Sequence, residues 1–303
     1  MVKKKTILLF AIIIISYAKC LCAGEFHALE NKDVKILFEP KLEWAAKEVA
    51  GIYPEIKIAL EDTFGWDLNL RPSVLLIKNR NRFQNLILNP LTVAFAVPKS
   101  NLIIVDYTKM TLHPFTIENT LKHELCHLLL HHHINGHILP RWLDEGVCQW
   151  ASDGIADIIM DQKRSYLNKA ASRGTFIQLN ALQKGFPQEK ESVLLAYEES
   201  KSFVAHIISR FGKEGLLKVL EQMKKGVSVD AAIQKALSTP LDILEREWHQ
   251  SIRKRTTWFT LLSYYLYEIL FALMALLSIF AFIKIMIKKR AYMQEDPEDT
   301  LLS

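Results

Sequence analysis

Cysteine is scarce: four in 303 residues cannot build a disulfide scaffold. Two of the four, Cys20 and Cys22, fall beside an apolar N-terminal stretch, which leaves Cys126 and Cys148 for the rest of the chain. These two are read as small buried thiols, with a bridge between them as the alternative in an oxidising compartment. Eleven glycines and ten prolines, without repeat, low-complexity tract or long linker, exclude fibrous and solenoid architectures. The body also lacks an excess of either charge. Of 38 Lys and Arg, ten lie in Lys3–Lys5 and residues 253–303, and five of the 33 Asp and Glu lie in the latter segment. Residues 6–252 therefore carry 28 of each sign, which excludes the concentrated basic surface of a nucleic-acid-binding protein.

The apolar runs that are present lie at the two ends. Lys3-Lys4-Lys5, the apolar stretch 6–17 and Cys20-Leu21-Cys22-Ala23 have the charged, apolar and small-residue regions of a secretory signal, assigned to residues 1–23. The stretch is too short to span a bilayer. Residues 269–287 are long enough and carry one charge, Lys284, so they read as a transmembrane helix that contacts the lipid bilayer. Trp258, Tyr264, Tyr265 and Tyr267 mark residues 256–268 as a juxtamembrane interface, and 288–303 as a cytoplasmic tail. With an export signal in front, residues 24–255 are expected to be an extracytoplasmic domain of a single-pass membrane protein.

Within that domain the pattern is α+β. Residues 34–38, 73–77, 92–97 and 102–106 read as strands, the last two as a hairpin around Pro98-Lys99-Ser100-Asn101, and 42–64 as an amphipathic helix closed by Gly65. Beyond residue 140 the chain turns helical, with segments expected at 155–171, 191–211, 214–225, 229–237 and 241–255. The helix after Pro140 is expected to end at Asp153-Gly154.

The chemistry concentrates between them. His123-Glu124-Leu125-Cys126-His127 sits in an apolar helical run, and histidines four apart leave a helix on the same face, one turn apart. A catalytic zinc ordinarily takes three protein ligands and keeps a fourth position open. Glu145, in Trp142-Leu143-Asp144-Glu145-Gly146 on the next helix, supplies the third. A competing third ligand is His133, ten residues after His123, as in H-E-x-x-H-x-x-G-x-x-H. Leu130 stands where that pattern has its helix-breaking glycine, so the helix is expected to continue to Asn135-Gly136. His131, His132, His133 and His137 are then expected to form a solvated helix end.

The motif and the Trp-Leu-x-Glu-Gly block resemble the gluzincins of the aminopeptidase-like branch. Residues 33–252 resemble the bacterial peptidase MA-like family, through Ala196-Tyr197-Glu198-Glu199 and Leu244-Glu245-Arg246-Glu247-Trp248 among others. The resemblance implies a zincin-like upper lobe of mixed sheet, backing helix and active-site helix, followed by a mostly helical lower lobe. It implies a Zn2+-dependent metallopeptidase acting on peptide or protein substrates, with His123, His127 and Glu145 as metal ligands. Glu124 would be the general base that works with a zinc-activated water, and Tyr197 the oxyanion donor. The Gly-x-Met-Glu-Asn motif that anchors a free amino terminus in aminopeptidases is absent before His123, which points to endopeptidase action. Gln149 occupies the place of an aspartate that orients a ligand histidine in thermolysin-like enzymes; an exposed glutamine without a role is the alternative. A noncatalytic, zinc-stabilised binding or assembly factor at the membrane surface is the rival reading, and the intact Glu124 argues against it.

Overall fold

The computed structural model describes residues 26–87, 92–112, 115–135, 138–152 and 165–294. The expected signal at 1–23, the helix stop at Asp153-Gly154, His137 and the start of the 155–171 helix lie outside those residues. The chain divides into two compact units, one ending at His249 and the other beginning at Gln250.

The first unit opens with a five-stranded sheet, β1 (His27–Glu30), β2 (Lys35–Phe38), β3 (Ser73–Ile77), β4 (Ala94–Val97) and β5 (Leu102–Asp106), in spatial order β1-β2-β3-β5-β4. Its centre is parallel, β2 on β3 on β5, and both edge strands are antiparallel. The crossover between β2 and β3 is helix α1 (Glu43–Phe64). Its face of Ala45, Ala46, Val49, Tyr53, Ile56, Leu60 and Phe64 is buried at helical spacing, and Gly65 closes it in the left-handed region at φ 69°, its N–H bonded to the Glu61 carbonyl at 2.7 Å. The short helix α2 (Arg80–Gln84), capped by the Asn79 side chain, follows β3.

The expected hairpin is present, turned by Pro98–Ser100 and Asn101 at φ 47°. Strand β1 was not foreseen. It is a mostly exposed edge strand reached through a turn in which Asn31 Oδ1 accepts from the N–H groups of Asp33 and Val34, so it lacks the alternation that a half-buried strand shows.

Helix α3 (Ile117–Ile134) packs against α1 and β4, with the Thr116 side chain capping its start at the Asn119 N–H and Asn135 closing it at φ 51°. It runs straight through Leu130. Helix α4 (Arg141–Ala151) begins after Pro140; its first two N–H groups reach the carbonyls of Gln183 and Leu182 at 3.0 and 3.3 Å, where no side chain caps them.

The remaining elements are α5 (Tyr166–Arg173), α6 (Lys190–Lys224), α7 (Val229–Leu237) and α8 (Leu241–Gln294). Helix α6 is two helices broken at Gly212, whose φ of 71° and ψ of 172° only glycine adopts freely. Trp142 of α4, Phe203 of α6 and Trp248 of α8 meet edge to face at 5.2 and 5.5 Å, and all three are fully buried.

Gly146 makes the α4–α6 contact closer still. A Cβ there would lie 2.4 Å from the Ser200 carbonyl oxygen and 2.7 Å from a Val204 methyl. Gly146→Ala must therefore push backbone from backbone. We expect a loss of about 3 kcal/mol of stability, seen as a fall in melting temperature on the order of 10 °C; an unchanged melting curve would mean that the helices are not in this contact.

In the second unit, α8 is one continuous helix to Gln294 and runs through residues 256–268. No glycine or proline interrupts 241–294, and a change of solvent chemistry alone does not end a helix. Its stretch Tyr265–Arg290, 26 residues containing an 18-residue window of mean hydropathy 2.6, is long and apolar enough to cross a membrane, and none of that window is covered by the described residues.

Candidate metal centre

Helix α3 presents His123 and His127 on one face with their rings at 89° and their Nε2 atoms 3.2 Å apart, and α4 brings Glu145 Oε2 to 3.5 Å from the first and 3.7 Å from the second. Four ligands placed tetrahedrally around zinc at ordinary bond lengths lie about 3.3 Å from one another. The donor triangle has that size. Glu145 Oε2 is also buried without a hydrogen-bond partner among the described residues, a cost that a cation at the centre of the triangle removes. The surrounding charge fits the same group. Glu124, Asp144 and Glu145 are three buried carboxyls against the single guanidinium of Arg141, a deficit suited to a divalent ion.

Each histidine is held from behind. His127 Nδ1 lies 2.6 Å from Asp144 Oδ1, and His123 Nδ1 lies 3.3 Å from Ser152 Oγ, whose own proton goes to the Cys148 carbonyl at 2.7 Å. Both imidazoles thus donate through Nδ1 and turn Nε2 to the centre, the orientation that a metal needs. Burial pulls the His127 imidazole down, and the charges of Asp144 and Glu145 more than reverse this, to about 10. Burial raises Glu145, but Arg141 and His127 beside it bring its carboxyl down to about 2. It is a carboxylate at any working pH.

Two expectations are corrected here. Gln149 does not orient a histidine, and it is not exposed; its side chain is fully buried with neither amide atom bonded among the described residues, and Asp144 holds His127 instead. The end of α3 is not a solvated run of histidines. His131 reaches Asp144 Oδ2 at 3.2 Å, while His133 stacks on Trp66 at 3.5 Å and meets Glu221 at 2.8 Å. Only His132 of the described three is exposed. His133 is thereby committed away from His123 and His127.

Cys126 and Cys148 are free, buried neighbours. Cys148 could form a second donor group with His127 and Asp144. Burial and the hydrogen bond with Cys126 push its thiol well above the usual range, which disfavours the thiolate a metal takes.

The triangle opens on a cavity of about 420 Å³ lined by β4, α3, the start of α4 and Tyr197 of α6, within the usual size for a ligand site. Burial raises Glu124, which stands in this cleft beside both histidines. Tyr197 packs edge to face on Phe186 at 5.0 Å, beside the Arg141 guanidinium. The charge of Glu145 and burial raise its phenol, so it stays protonated. Asp144, Arg141 and Ser152 were not foreseen as parts of the site. Their only sequence signal was position, Arg141 and Asp144 flanking Glu145 on its own helix.

The Peptidase MA superfamily matches residues 57–254, and the chain belongs to it. The donor set fits the ion such a family would hold, and Zn2+ is the cofactor that family and donor set imply. No curated protein matches the chain. Among solved structures it is similar to an M1 zinc metallopeptidase from Deinococcus radiodurans, at 16% identity and a TM-score of 0.44 over 76% of this chain and 50% of that one. It is also similar to aminopeptidase A from Legionella pneumophila, at 13% identity and a TM-score of 0.45 over 74% of this chain and 27% of that one. The chain thus spans half or less of the length of these neighbours.

Proposed function

We propose that the chain is an exported, membrane-anchored zinc endopeptidase with His123, His127 and Glu145 as metal ligands and Glu124 as general base. The observation that carries the reading is the donor triangle with its orphaned Glu145 oxygen, opening on a cleft that also holds a buried Glu124. Zinc held there supplies Lewis acidity towards the scissile carbonyl and lowers the pKa of a water in the site.

This chain's own residues do the rest. Glu124 takes a proton from the attacking water as its oxygen adds to the carbonyl carbon, and delivers it to the amine nitrogen as the C–N bond breaks. Tyr197 donates its O–H to the oxyanion of the tetrahedral species. Strand β4 pairs with β5 on one side only, and its other edge borders the cleft. An extended substrate can add there as a further strand by main-chain hydrogen bonds.

Endopeptidase action is supported by the carboxylates of the cleft. Among the described lining residues these are Glu124, Asp144 and Glu145, and each has a task, which leaves none to hold a substrate's amino terminus. Membrane anchoring is supported by the uncovered apolar stretch Tyr265–Arg290, about 39 Å long at helical rise, against a hydrocarbon core of about 30 Å.

The test is digestion of a peptide library, with and without N-terminal acetylation, by the purified protein. Internal cleavage of acetylated peptides is expected; release of single residues from unblocked peptides alone would exclude the endopeptidase assignment. In intact cells an impermeant thiol reagent should label Ser172→Cys and spare Ser303→Cys, and the reverse pattern would place the site in the cytoplasm. Tyr197→Phe should lower kcat by on the order of 10²-fold with zinc content unchanged; loss of stability without a rate defect would reduce Tyr197 to a packing residue.

A further inference from the structure

We propose that Arg141 is a positioning residue that fixes how Glu145 presents itself to the metal and ties that ligand to Tyr197. The inference rests on the zinc reading above. Arg141 is the first residue of α4, one turn before Glu145 and on the same face. Its Nη2 pairs with Glu145 Oε1, leaving Oε2 as the one oxygen turned to the histidines. Its Nη1 lies 3.6 Å from Asp144 Oδ2, the carboxylate that orients His127, and the guanidinium also lies beside the Tyr197 phenol.

One planar group therefore touches the third ligand, the carboxylate behind the second ligand and the oxyanion donor. The backbone beneath it is fixed as well, by the Arg141 N–H on the Gln183 carbonyl at 3.0 Å.

Three consequences follow from this geometry. With Oε1 occupied, Glu145 would offer a metal a single oxygen, Oε2. Without the guanidinium the carboxylate is free to swing to two-oxygen binding, and its full charge falls on the metal. Tyr197, on α6, also loses the group that aligns it with a ligand on α4. A lysine can replace the charge but not the fork, because one ammonium cannot hold Glu145 and Tyr197 in fixed planar geometry together.

The rival role is recognition of a substrate carboxylate, since the Arg141 side chain is 44% exposed on the cleft. Its donors are directed at Glu145, Asp144 and Tyr197, which favours positioning.

The experiment compares wild type, Arg141→Met and Arg141→Lys by chelator competition for zinc, by visible spectroscopy of the Co2+-substituted proteins, and by steady-state kinetics at saturating zinc. Arg141→Met should weaken zinc binding by about 10–100-fold, the usual cost of losing a group that orients a ligand. Its Co2+ bands should weaken and shift as Glu145 changes denticity, and kcat should fall more than KM rises. Arg141→Lys should recover most of the zinc affinity while kcat stays low. Unchanged zinc affinity and Co2+ spectrum in both variants, or a rise in KM alone, would overturn the proposal and assign Arg141 to substrate. A wild type without zinc at this centre would remove the function above together with it, whereas a failure confined to the Arg141 variants removes this inference only.

Discussion

Glu124→Gln is expected to retain zinc, fold and substrate affinity and to lose about 10²–10⁴-fold in kcat, the range general acid–base groups ordinarily contribute. The two side chains have nearly the same shape, so the variant removes a proton acceptor and little else. Glu124 is buried among the two histidines and Glu145, and burial is the largest influence raising its carboxyl. That raises its basicity towards the range in which a carboxylate can both take a proton from water and give it up to an amine. Wild-type turnover by a contaminant-free variant would exclude Glu124 from proton transfer. The same protein, inactive but metal-loaded, is the control against which cleavage in a peptide-library digest should be judged.

The second large effect concerns the third ligand. Glu145→Ala is expected to leave the purified protein without its equivalent of zinc, whereas His133→Ala should keep the metal in full. The distances decide between them: Glu145 Oε2 lies within 3.7 Å of both Nε2 atoms, while His133 stacks on Trp66 and faces Glu221. Because the metal binds only the assembled site, its loss should also lower thermal stability by an amount that grows with the logarithm of free zinc, about 4 kcal/mol at a thousandfold excess over Kd. A protein that holds zinc without Glu145 and loses it without His133 would overturn the ligand set. His133→Ala should instead cost stability through Trp66, at constant metal content.

What the sequence disclosed and what it hid divide along a physical line. His123, His127 and the passage of α3 through Leu130 follow from periodicity and from the absence of a helix breaker, both local properties. Gly212 likewise announced the break in α6, because only glycine takes that backbone conformation cheaply. Asp144 was hidden, since its bond to His127 depends on the angle at which α4 lies on α3, which no spacing along one helix encodes. Gln149 was the tempting substitute, one turn beyond Glu145, and that turn carried it into a buried position without partners. The histidines after His127 looked like a solvated tail because Trp66 and Glu221, which cover His133, lie 67 residues before and 88 residues after it in the chain. Strand β1 was hidden for the opposite reason: exposed on most of its length, it needs no apolar pattern.

The close approach at Gly146 helps to set the distance between Glu145 on one helix and Tyr197 on another, because it lets the two backbones come together. A chain that drifted to a larger residue at this one position would still display His123, Glu124, His127, Glu145 and Tyr197 unaltered. Anyone reading its motif would find every proposed site residue in place, yet the two helices that carry Glu145 and Tyr197 could no longer approach this closely. In this fold the spacing behind the proposed site therefore depends on a residue that has no side chain.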